Sequence, residues 1–160
     1  MKKHIALIGV VQNKKQIAKT LASELDMMLF DCYDYICFNN NMSVEQLIKK
    51  SNVTYFKKQV SKSICELEDL QNMVFCSYDE KLLSVEDLQR LNQYCYVVYL
   101  FDGMAMQNKA DNLVVMDNNF AKQYIQCHKR YSNRCDFDLD IKGLLVDDVV
   151  AKICDFLKTI

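Results

Sequence analysis

A glycine, four residues, two lysines and a glutamine stand between an apolar run and an amphipathic one in IALIGVVQNKKQIAKTLASEL, residues 5–25. The order Gly9, Lys14, Lys15, Gln16 has the outline of a unit that grips phosphate. Glycine lets the backbone turn tightly, lysine brings charge, and the amino terminus of the following helix presents amides and a favourable dipole to an anion. Three further junctions could carry chemistry, each where an apolar run ends: around Asp31 and Asp34, after Cys76, and after Phe101.

Other chemistries find less support. Eight cysteines, at 32, 37, 65, 76, 95, 127, 135 and 154, lie mostly in apolar segments with no Cys-x-x-Cys pair. They read as small buried hydrophobes in a reducing compartment rather than as a disulfide frame or zinc site. Of the two histidines, His4 opens a strand and His128 falls in a helical pattern. Both are expected to be structural.

These junctions need elements to hold them. Runs rich in strand formers cover His4–Gly9, Met73–Cys76 and Cys95–Phe101, with weaker ones at Met27–Asp31 and Phe137–Ile141. Short apolar runs bounded by polar residues suit buried parallel strands, and the aspartates of the last suit a sheet edge. Between them, Ile17, Leu21 and Leu25 recur at helical spacing, as do Phe56, Val60, Ile64 and Leu67. Ser84 and Asp87 form a capping pair before Val85, Leu88 and Leu91, and Ser43–Lys50 reads as a short helix. Phe120, Tyr124 and Tyr131 suggest another helix, and Val146 to Ile160 a final one. Strand and helix alternate, which predicts a layered α/β fold around a mostly parallel five-stranded sheet. Ligands of such sheets bind at the carboxyl ends of the strands, where the four junctions fall.

The bulk numbers narrow the function. A chain of 160 residues, 51% hydrophobic and 26% charged, suits one domain, 1–160, with a real core. A net charge of −1 gives no footprint for nucleic acid. No apolar stretch is long enough to span a bilayer, and the run from Ile5 to Val11 reads as a first strand rather than a secretory signal. A cytoplasmic protein with no membrane or nucleic-acid partner is the expectation.

The order of the pieces resembles the shikimate kinase family, small P-loop kinases of the nucleoside-monophosphate kinase type. The resemblance rests on LIG at 7–9, IAKTLASEL at 17–25, MMLFDCYDYI at 27–36, FKKQVSKSICEL at 56–67, MVFCS at 73–77, YVVYL at 96–100 and YSNRCDFDLDI at 131–141. It implies a three-layer form of the fold, α/β/α, and transfer of a phosphoryl group from ATP to a hydroxyl of shikimate, with magnesium as cofactor.

The residues that would perform this transfer depart from the family pattern. A P-loop reads Gly-x4-Gly-Lys-[Ser/Thr], its lysine reaching the outer phosphates and its hydroxyl binding magnesium. Here Lys14 stands for the second glycine, Lys15 for the lysine and Gln16 for the hydroxyl, and the stretch from Gly9 to Ile17 is one residue short, which should re-aim Lys15. Of the family's Asp-x-Asp, Asp31 matches the carboxylate near the metal, Tyr33 takes the place of the one that meets substrate, and Asp34 lies one residue on. Lys57 replaces the arginine that grips the substrate carboxylate, Gln59 and Cys127 stand where the family has two further arginines, and Tyr78, Asp79 and Glu80 replace a triple-glycine turn. Lys109 is the one cation of the shortened lid segment Asp102–Asp117. The expectation is a pseudokinase that acts by binding a small molecule or a protein. The alternative is a divergent ATP-dependent small-molecule kinase that uses Mg-ATP.

Overall fold

The computed structural model describes residues 2–78, 82–103 and 118–160. Strands β1 (His4–Ile8), β2 (Met28–Asp31), β3 (Met73–Cys76), β4 (Cys95–Phe101) and β5 (Phe137–Asp140) form one sheet in the order β2-β3-β1-β4-β5. Every neighbouring pair is parallel, so the sheet expected to be mostly parallel is parallel throughout. Its central strand β1 is buried at all five positions, which explains an apolar run without alternation.

Successive side chains leave the sheet on opposite faces. Ala6, Ile8, Phe75, Val97 and Tyr99 enter one core layer, and Ile5, Leu7, Val74, Val98 and Leu100 enter the other. Helices α1 (Lys14–Glu24) and α7 (Val146–Leu157) cover the second layer through Ile17, Leu21, Val149 and Ile153. Helices α2 (Cys32–Asn40), α3 (Val44–Lys50), α4 (Val53–Glu66), α5 (Val85–Tyr94) and α6 (Asn118–Tyr131) lie on the first, contributing Ile36, Leu47, Ile64, Leu91 and Tyr131. Burying each such aliphatic side chain contributes about 1.5–3 kcal/mol. Among the described residues, no helix is long and apolar enough to cross a membrane.

Helix α2 is an element that the apolar pattern does not announce. Its start is set by Asp31, whose Oδ1 accepts from the Asp34 amide at 2.9 Å, and its end by Asn41 in the left-handed conformation at φ 52°. The strand ends are likewise settled by polar side chains. At the sheet edge, Asp138 Oδ2 accepts from Ser132 Oγ at 2.9 Å, and Asp140 Oδ1 accepts from the Gly103 amide at 2.9 Å. The aspartates in β5 thus tie the turn before it and the segment that follows β4.

Gly9 follows the central strand, between the two directions in which the chain goes on to build the sheet. Its φ is +126°, and a Cβ there would lie 1.9 Å from the Leu100 carbonyl oxygen of β4. Only glycine fits both the conformation and the space.

Candidate functional site

The loop from Gly9 to Asn13 delivers the chain into α1 at Lys14. Asn13 stands at the N-cap without a side-chain capping bond. Lys14 is buried, and its Nζ donates to the Gly9 carbonyl at 3.0 Å and to Ser77 Oγ at 2.7 Å. It thereby ties the end of β1 to the end of β3. A buried ammonium is tolerable only with such acceptors.

Lys15 takes another direction, as the shortened loop leads one to expect. A helix advances by about 100° per residue, so consecutive side chains diverge. Lys15 Nζ lies 2.9 Å from Asp34 Oδ2 and 3.6 Å from Asp31 Oδ2, with the Tyr33 ring 5.9 Å away. The bond to Asp34 raises the Lys15 pKa most, with the Asp31 charge adding to it and desolvation opposing. The lysine on the loop is therefore Lys14, where the motif numbering places Lys15. Gln16 is exposed on the helix.

The substrate-side residues separate into two groups. Tyr33 and Tyr78, each just beyond the end of its strand, meet with ring centroids 5.0 Å apart and an interplanar angle of 58°. They lie beyond the carboxyl ends of the neighbouring strands β2 and β3. Lys57 is exposed on α4, and Cys127 is buried in the core on α6. Asp79, Glu80 and Lys109 lie outside the described residues. Among the other aromatic residues of α2, Tyr35 is tied to Glu66 through its hydroxyl at 3.0 Å, while Phe38 is 86% exposed. Burial and the Glu66 bond push the Tyr35 pKa up to about 12.

Sequence reasoning passed over the ring cluster on the neighbouring part of the sheet. Tyr99 Oη lies 3.1 Å from His128 Nδ1, and Phe101 meets the His128 ring edge-on at 4.8 Å. The alternation of Tyr99 and Phe101 on β4 was the available signal, since residues two apart share a face.

The donor set does not suit magnesium. Asp31 spends Oδ1 on the α2 cap and faces Lys15 Nζ with Oδ2, and no hydroxyl side chain follows Lys14. Magnesium asks for an octahedron of oxygens, whereas here an ammonium stands between the two carboxylates. Among the described residues, no three His, Cys, Asp or Glu side chains form a metal-binding group.

The shikimate kinase family model matches residues 13–142, starting just beyond Gly9. The shikimate kinase of Alkaliphilus oremlandii (strain OhILAs) is 28% identical over 101 residues, which span 62% of this chain and 60% of that protein. The fold matches that of shikimate kinase from Aquifex aeolicus, with a TM-score of 0.83 at 18% identity over 98% of this chain and 96% of the other. Shikimate kinase from Acinetobacter baumannii in complex with shikimate matches with a TM-score of 0.80 at 16% identity, over 99% of this chain and 94% of that one. With a family match that covers most of its length and a fold that agrees, the chain belongs to the shikimate kinase family.

Proposed function

We propose that this chain is a pseudokinase of the shikimate kinase family: a cytoplasmic protein that binds a small molecule or a protein partner and does not phosphorylate shikimate. The observation that carries this reading is the Tyr33–Tyr78 ring contact at 5.0 Å. The family resemblance assigns the place of Tyr33 to a carboxylate that meets substrate hydroxyls and the place of Tyr78 to the start of a glycine turn. Two rings in contact would crowd that seat, and the next carboxylate, Asp34, is held by Lys15 at 2.9 Å. The clamp is weakened as well, because Lys57 lacks the bidentate fork of an arginine. Phosphoryl transfer depends on positioning and charge neutralisation, so these losses act on the reaction directly.

The test is ADP release from Mg-ATP and shikimate, measured beside the Acinetobacter baumannii enzyme. The expected kcat/KM is lower by about a thousandfold or more, since loss of one well-placed transition-state donor already costs about 10²–10³. Turnover comparable with that enzyme would overturn the reading. A second reading, a divergent ATP-dependent kinase acting on another hydroxyl, is favoured by Lys14, which keeps an ammonium against the Gly9 carbonyl. ATP turnover on any of a set of small polyols and hydroxy acids would select it.

A further inference from the structure

We infer that the Lys15 ammonium is a tethered substitute for a divalent cation, and that its presence excludes metal from the Asp31–Asp34 corner. The inference starts from Lys14. In the motif a lysine is followed by the hydroxyl that binds metal. Lys14 is the side chain folded onto the loop, with its Nζ 3.0 Å from the Gly9 carbonyl, so the residue in the hydroxyl's place is Lys15. The Lys15 ammonium lies against both carboxylates of this corner, 3.6 Å from Asp31 Oδ2 and 2.9 Å from Asp34 Oδ2. Asp31 is nearly buried, with 6% side-chain exposure, and so cannot turn to water instead.

Charge and geometry then act together. Two carboxylates and one ammonium carry a net −1, against −2 without the lysine, so the local attraction for a divalent ion falls. The ammonium also occupies the volume that the ion and its water would need. The position is held from three sides: by Asp34, by Asp31, and by the face of the Tyr33 ring at 5.9 Å. An anion at the start of α1 would meet a single charge tethered to the chain rather than an exchangeable double one.

Manganese, a spectroscopic stand-in for magnesium, tests this directly. Amide resonances of the full chain are followed during a Mn²⁺ titration of the wild type, Lys15→Thr, Lys15→Met and Lys15→Arg. Lys15 is 56% exposed in the first helical turn, so these replacements leave the core untouched. In the wild type and Lys15→Arg, broadening at Asp31 and Asp34 is expected not to saturate. In Lys15→Thr it saturates, with apparent affinity at least about tenfold tighter, and Lys15→Met shows a smaller gain because it removes the charge without adding an oxygen. Saturable binding at Asp31 and Asp34 in the wild type would overturn the inference. So would Lys15→Thr and Lys15→Met both gaining nothing. The inference shares the crevice of the proposed function but not its test: shikimate turnover would defeat that reading, whereas the manganese titration decides this one.

Discussion

The α-carbon of Gly9 lies so close to the Leu100 carbonyl that a Cβ would come within 1.9 Å of its oxygen. The obstacle is backbone in a central strand, which cannot rotate aside, and φ at +126° adds strain for any L side chain. Gly9→Ala is therefore expected to destabilise the fold by about 3 kcal/mol or more, read as a lower urea midpoint. A loss within about 0.5 kcal/mol would show that β1 and β4 do not approach as closely as described.

Asp87 holds two helices at once. Its Oδ2 accepts from the Ser84 amide at 3.1 Å and from Ser61 Oγ at 3.0 Å, while its own amide donates to Ser84 Oγ at 3.0 Å. The residue is buried, so truncation strands two donors. Asp87→Ala should cost about 2–3 kcal/mol and Ser61→Ala about 1 kcal/mol. Equal losses in the two variants would mean that the link to α4, and not the α5 cap, dominates.

His4 makes stability depend on pH. Burial lowers its pKa below the ordinary 6.5, with the Leu67 carbonyl opposing and the Lys3 charge assisting the fall. The neutral ring accepts from the Met73 amide through Nδ1 at 3.2 Å, a bond that protonation removes. The folded protein thus binds fewer protons than the unfolded chain in this window. The contribution is complete above the unfolded pKa of 6.5 and is lost as pH falls through the lowered folded value. Urea midpoints measured from about pH 7.5 to pH 5 should fall more steeply in the wild type than in His4→Gln, which keeps an acceptor without a titration. Parallel profiles would remove His4 as the cause.

The cysteines differ in accessibility to a thiol reagent. Cys65 is exposed on α4, whereas Cys95 is buried at the start of β4, where desolvation pushes its pKa up to about 12. Thiolate is the reactive form, so Cys65 should be labelled first by a disulfide reagent and Cys95 only on unfolding, as read by peptide mass mapping. Early labelling of Cys95 would show that β4 opens locally.

Much of this architecture was legible because burial on two faces writes itself as continuous apolar runs. Met73–Cys76 and Cys95–Phe101 were read to the residue, and the Ser84–Asp87 cap is present as expected. Alternation pointed to a layered α/β fold with a mostly parallel sheet, and the family resemblance implied its three-layer form. Helix α2 was not legible, since two polar residues at its ends set its limits and its sequence carries no apolar stripe. The division of labour between Lys14 and Lys15 was also hidden. One residue fewer in the loop rotates the register by about 100°, and a linear motif counts positions without measuring direction. The expectation that Lys15 would be re-aimed came from loop length; that Lys14 would replace it required the fold.

The Lys15–Asp34 contact joins α1 and α2, which belong to opposite layers of the sheet. It crosses the sheet's rim rather than its core, and its partners are 56% and 60% exposed, so it contributes no more than about 1 kcal/mol. It is a catch rather than a weld. Thermal motion can release it often, and salt weakens it further. A ligand that drew Lys15 away from Asp34 would unfasten the first turn of α2, the helix that carries Tyr33, from the opposite layer.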